Sequence, residues 1–249
     1  MRVRPIEHGR GLAPFVEGAL WTTWRPLRFH GIEMGTRMTV CKLSDGALFV
    51  HSPVAPDAVL LAALGELGPV EHVVAPNKLH HLYVAEFTAH FPDARTYASP
   101  DLPARRPDLR FDVVLGDAPR PGWARDLGQC LVSGRFFLDE VVFLHRASGT
   151  LILTDLCEEG NDEWPFASRL AARLGGIYQR HGPPRDMKWS LRRDKPALRR
   201  AVERILSWDF DRMILAHGRL VETGAKQLFE RAYAFARRGI EIPWPIEVG

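Results

Sequence analysis

Three short apolar runs in this chain end in a residue that can bind a metal. Val70–Ala75 (VEHVVA) is followed by Pro76-Asn77-Lys78-Leu79-His80-His81, LILT ends in Asp155, and ILA ends in His217-Gly218. Runs of this length, rich in Val, Ile and Leu, are buried strands. A polar residue at the end of each one sits at a strand tip, where open α/β sheets place their sites. Imidazoles and a carboxylate delivered from separate strand tips are a means of enclosing Zn²⁺, Fe or Mn. Each signal is weak alone. A bare His-His pair can be an exposed helix end, Asp155 can cap a turn, and a lone histidine can be a satisfied core residue. Their recurrence is what carries the argument.

The surrounding pattern is that of an α/β layer. Thr36–Leu43 and Ala47–Val50 read as a hairpin about the turn Ser44-Asp45-Gly46. Helical spacing over Pro56–Gly65 leads into the strand Val70–Ala75. Leu79–Phe91 is again helical in pattern, with Leu82, Phe87 and Phe91 as core positions, and Arg95–Ala98 is a strand. Residues 100–125 read as a long surface loop. Strands are expected at Gln129–Val132, Leu138–Arg146 and Gly149–Leu156, the last two joined by a tight turn. The C-terminal third is helical at Trp164–His181, from an Asp194 N-cap to Ser207, and at Gly224–Arg238, with a strand at Arg212–Ala216. No Pro/Gly-rich linker separates two cores, so residues 1–249 read as one domain.

Composition removes several classes. Hydrophobic residues are 46% and charged residues 25% of the 249, which excludes a disordered chain. A net charge of +3 with no long like-charged block argues against nucleic acid. No apolar run is long enough to span a bilayer, and neither a membrane partner nor a signal peptide is expected. Three widely spaced cysteines, Cys41, Cys130 and Cys157, point to a reducing cytoplasm rather than a disulfide framework.

Further candidates flank the three tips. Strand alternation sends Glu140 and His145 to opposite faces, so only one of them reaches a common centre. His51 ends an early strand and is placed either beside the site or as a cap of the turn at Pro53.

On these residues the chain resembles the metallo-β-lactamase superfamily, whose hallmark is H-x-H-x-D-H after a strand, then a later histidine, a bridging aspartate and a strand-end H-G. Asp155 in LILTDL is similar to the bridging aspartate, and His217 in LAHG to the final histidine. NKLHH, the EVVFLHR–GTLILTDL hairpin and WDFDRMILAHG resemble a divergent bacterial branch, over roughly residues 18–237. The resemblance implies an αββα sandwich with a metal site at one edge. It also departs from the hallmark: Pro76 and Lys78 stand in place of two histidines, and His80 stands in place of the aspartate. One of the two usual metal positions therefore loses ligands, because a protonated Lys78 cannot ligate. The other can be held by His80, His81, Asp155 and His217, with Glu140 as a further carboxylate.

The expectation is a metal-dependent hydrolase acting on a small molecule through one divalent ion, Zn or Fe, with Mn also compatible. Lys78 would bind an anionic group or an oxyanion, and Asp155 would orient the water. An iron-dependent oxidoreductase on the same scaffold is the alternative. A non-catalytic protein is the third reading, with a partner surface at Trp21, Trp24 and Trp244 or at Arg192, Arg193, Arg199 and Arg200. The plainer account of these residues is core aromatics and a solvated helix face.

Overall fold

The computed structural model describes residues 1–6, 9, 11–133 and 138–237. Its first half runs β1 (Arg2–Arg4), β2 (Ala13–Val16), β3 (Leu20–Arg25), β4 (Arg28–Phe29), β5 (Ile32–Glu33), β6 (Thr36–Lys42), β7 (Leu48–His51), α1 (Ala58–Leu67), β8 (Val70–Ala75), α2 (Val84–Ala89), β9 (Arg95–Ala98), α3 (Leu102–Arg105) and β10 (Val113–Val114). The second half runs β11 (Leu127–Ser133), β12 (Asp139–His145), β13 (Thr150–Ile152), α4 (Phe166–Gly175), α5 (Arg185–Leu191), α6 (Lys195–Ser207), β14 (Arg212–Ile214), β15 (Leu220–Thr223), α7 (Ala225–Ala232) and α8 (Ala234–Arg237).

Two sheets form the centre. One has the order β10-β9-β8-β7-β6-β3-β2 and the other β1-β15-β14-β13-β12-β11. Their facing surfaces share one apolar cluster, in which Phe49 and Val74 of the first sheet meet Val141, Phe143, Ile152 and Ile214 of the second. The outer face of the first sheet is covered by Leu60 and Leu64 of α1 and Phe87 of α2. The outer face of the second is covered by Leu198, Val202 and Ile205 of α6 and by Leu228 and Phe229 of α7. Helix, sheet, sheet and helix layers follow in that order, so the αββα sandwich implied by the resemblance is the fold observed.

Local chemistry explains most boundaries. The β6–β7 hairpin turns at Gly46, whose φ of 91° favours glycine. The Asp57 side chain accepts from the Leu60 N–H and starts α1, and Asp194 accepts from Ala197 to start α6. α4 ends earlier than its expected limit near His181, because Gly176 takes a left-handed cap at φ 76°.

Other segments differ from expectation. Within Leu79–Phe91 only Val84–Ala89 is α-helical, and Leu82 is 49% exposed rather than in the core. The stretch 100–125 carries α3 and β10 and buries Trp123 against Phe49 and Tyr97. The final helix is broken at Tyr233 into α7 and α8; Arg238 and Trp244 lie outside the described residues. Trp21 is a core residue. Cys41, Cys130 and Cys157 are buried free thiols. Among the described residues, no helix is long and apolar enough to cross a membrane.

Candidate metal centre

The three strand tips converge. His80 follows β8, Asp155 follows β13 and His217 follows β14, and all three side chains are buried. His80 Nε2 lies 3.3 Å from Asp155 Oδ1, His217 Nε2 lies 3.3 Å from the same oxygen, and the two nitrogens are 3.2 Å apart. Ligands about 2.0–2.1 Å from a tetrahedral zinc are separated by about 3.3–3.4 Å, so the spacing fits a shared ion. Among the described residues this is the one group of three or more His, Cys, Asp or Glu with ligand atoms so close together.

Hydrogen bonds behind the ligands set their orientation. His217 Nδ1 donates to the Gly35 carbonyl at 2.6 Å, which leaves the Nε2 lone pair facing Asp155. Gly35 has φ 67°, and a Cβ there would meet the Trp24 ring at 2.2 Å. His80 Nδ1 contacts Ser52 Oγ at 2.7 Å, and Ser52 itself adopts φ 56°, uncommon for a non-glycine residue. Buried Arg37 donates to the Leu215 and Gly218 carbonyls, bracing the loop that carries His217. Gly218, at φ 115°, lies so close to Glu159 that a Cβ would meet its carbonyl oxygen at 2.5 Å.

Asn77 and Glu140 hold the other side. Asn77 Oδ1 accepts from the N–H groups of Leu79 and His80, at 2.8 and 2.9 Å. Its Nδ2 hydrogens are shared among Asp155 Oδ2 at 2.7 Å, Thr154 Oγ1 at 2.8 Å and Glu140 Oε2 at 3.1 Å. Glu140 accepts the backbone N–H groups of Thr154, Asp155 and Leu156. Its carboxylate is thus committed to the loop that presents Asp155. It stands outside the three-ligand group.

The remaining predicted residues are also placed apart from that group. His81 is buried with Nδ1 lacking a hydrogen-bond partner, and burial followed by Arg106 lowers its pKa. Lys78 Nζ lies 3.5 Å from Asp101 Oδ2. His145 Nδ1 pairs with Ser148 Oγ at 2.7 Å. His51 is buried edge-on to Phe143, and burial together with the nearby His80 pulls its pKa down to about 3.

The charges of the cluster depend on one another. Burial pushes the Asp155 carboxyl up, but His80 and His217 outweigh it and hold the group below the usual carboxylate range. Burial pushes His80 down, but Asp155 outweighs it and raises the imidazole above its ordinary value. His217 is lowered, chiefly by burial. Burial and the Asp155 charge push Glu140 up to about 7.

Sequence reading missed Asn77, Ser52, Gly35 and Arg37. One signal was available: an arginine inside the β-branched strand TRMTVCK requires an internal partner.

The cluster opens on a cavity of about 470 Å³. His80, Asp155, His217 and Glu158 form part of its wall, and Met34, Leu79, Trp164, Ile177 and Met187 supply much of the apolar remainder. Burial, reinforced by nearby carboxylates, raises the Glu158 carboxyl well above its usual value.

The fold is metallo-β-lactamase-like. Three solved structures illustrate the likeness. The metallo-β-lactamase from Pontibacter korlensis is 10% identical with TM-score 0.60, over 96% of this chain and 100% of that one. The metallo-β-lactamase from Hirschia baltica is 12% identical with TM-score 0.60, over 94% and 98%. The one from Erythrobacter litoralis, with beta mercaptoethanol in its active site, is 13% identical with TM-score 0.62, over 91% and 95%. At such identities the likeness concerns the fold alone. Residues 17–174 match the family described as domain of unknown function DUF4336, and the chain belongs to that family. No curated protein matches it by sequence.

Proposed function

We propose that this protein is a metal-dependent hydrolase with a single divalent ion held by His80, Asp155 and His217. The carrying observation is the mutual spacing of 3.2–3.3 Å among three buried ligand atoms, each backed by its own hydrogen bond. An ion held there would supply Lewis acidity, activating water and polarising a carbonyl or phosphoryl oxygen. Two imidazoles and a carboxylate suit zinc or iron, and manganese is compatible.

The chain's own residues do the rest. Gly35 and Ser52 fix the two imidazoles. Asn77 holds one oxygen of Asp155 and leaves the other facing the histidines. The apolar wall formed by Met34, Leu79, Trp164 and Ile177 excludes water and favours a small-molecule substrate with an apolar body. Lys78 is left out of this mechanism, because its ammonium group lies beside Asp101.

The test is hydrolysis of a panel of chromogenic esters, thioesters and phosphodiesters by metal-loaded protein, with Asp155→Asn as control. Turnover that needs the metal and disappears in the variant supports the proposal. Turnover that survives chelation and the substitution would contradict it.

An iron-dependent oxidoreductase is the second reading, favoured by the two-histidine, one-carboxylate set itself. Iron in the aerobically purified protein, with no hydrolysis from the zinc form, would select it.

A further inference from the structure

α4 is amphipathic in the reverse of the usual sense. A solvated helix turns its large apolar residues inward. Here Ser168 and Ala172 are buried, the serine accepting from the Glu33 N–H and the alanine packing close to Gly160. The large residues face out: Phe166 is 71% exposed, Leu170 48% and Leu174 67%, at successive i, i+4 positions. Trp189 on α5 is 56% exposed, and Arg193 stacks over its ring at 4.1 Å. Two other exposed apolar residues, Phe29 and Leu82, line the cavity of the metal centre, and so does Leu174. Leu174 thus joins the outward face of α4 to the mouth of the pocket, which Arg185, Asp186 and Met187 at the start of α5 also line.

Charge supplies the second observation. Residues 164–193 contain seven lysines and arginines against Asp186 alone, a net +6, and the flanking Asp162, Glu163 and Asp194 bring residues 162–194 to +3, the net charge of the whole chain. Arg173, Arg180, Arg185, Arg192 and Arg193 are exposed. The mild overall charge conceals this asymmetry.

We propose that the α4–α5 face docks on an anionic lipid surface. Exposed Phe, Leu and Trp side chains interleaved with arginines match the interfacial layer of a bilayer, where apolar side chains enter the acyl boundary and guanidinium groups meet anionic headgroups. A nucleic acid would use the arginines but leave Phe166, Leu170 and Leu174 in water. A second copy of the chain would cover the leucines but set +6 against +6. The docking does not depend on the metal reading. It departs from the expectation, drawn from the lack of a long apolar run, that the protein has no membrane partner.

The test is cosedimentation of the full chain with vesicles of phosphatidylcholine, with and without phosphatidylglycerol, at low and high salt. Binding to the anionic vesicles, weakened by salt, is expected. Arg173→Gln with Arg180→Gln should weaken it about 30-fold, from the usual contribution of two basic residues at a charged surface. Phe166→Ser with Leu174→Ser should weaken it by about tenfold or more. Both pairs lie on the surface, so their melting temperatures should match the wild type. If the serine pair unfolds, the glutamine pair and the vesicle-induced blue shift lost in Trp189→Phe still decide. Failure to bind anionic vesicles at low salt would overturn the proposal. So would binding by both variants as tight as that of the wild type, capture of an oligonucleotide without vesicles, or dimerisation abolished by the serine pair.

Discussion

The loops 76–81 and 215–218 each deliver one histidine to the same aspartate, yet they are fixed by different means. The first is tied by Asn77, whose amide bonds Asp155 and Glu140 directly. The second is tied by Arg37, which grips the carbonyls of Leu215 and Gly218. In the first loop, holding the backbone and holding a ligand are one task performed by one side chain. In the second, bracing the backbone falls to Arg37 and orienting His217 to the Gly35 carbonyl.

Four substitutions or conditions break this contrast apart, from the largest effect down. Asn77→Ala should cost about 4 kcal/mol, because it uncaps two backbone N–H groups and removes a donor from two buried carboxylates. For a chain of this size that lowers the melting temperature by roughly 8–16 °C. Metal affinity should fall with it in the same titrations.

Arg37→Met should cost about 2 kcal/mol, leaving two carbonyls short of a donor. Metal affinity should drop less than in Asn77→Ala. An equal or larger drop in Arg37→Met would erase the distinction between the loops.

Ser52→Ala sharpens the contrast from the ligand side. It should change thermal stability by under about 1 kcal/mol while weakening metal binding by about 10–100-fold, the usual effect of removing a histidine's outer partner. Isothermal titration with zinc and thermal melts of the metal-free protein separate the two effects.

The smallest effect is that of pH. His80 and Glu140 have pKa values raised in the fold, so what they contribute is present below their unfolded values and lost as pH rises through the folded ones. Asp155 is lowered, so its contribution is present above the ordinary carboxyl value and lost only in strong acid. Glu140 and His80 thus give a component of stability that falls from about pH 5 upward through neutrality, while the lowered His51, His81 and His217 act in the opposite sense below neutrality, so Glu140→Gln should remove part of the falling component from the metal-free protein. Bound metal replaces the shared proton, so the stabilisation it gives should grow over the same range. Melting curves with and without zinc across this pH range measure both trends.

The sequence made the ligands more legible than their supports. His80, Asp155 and His217 stood at strand tips because short apolar runs announce where a strand ends. The start of α6 was legible from Asp194 as a cap, and α1 from the helical spacing over Pro56–Gly65. Asn77, Ser52 and Gly35 were not legible, since the bonds by which they hold the ligands reach partners 28 to 182 residues away. Glu140 reads from strand alternation as a residue on one face, whereas its contact with three successive N–H groups exists only once β12 and the 154–156 loop pack. The extent of the helical segment at Leu79–Phe91 was misread for a related reason. Asn77 turns the backbone at Leu79 and His80, and the α-helix begins only at Val84.

The central claim, one ion held by two histidines and an aspartate, is tested most directly by elemental analysis of the protein purified without added metal or chelator and then titrated with zinc or iron. The account predicts one tightly held ion per chain, lost in Asp155→Asn and in His217→Ala. No stoichiometric ion, two ions per chain, or an ion retained unchanged in both variants would contradict it.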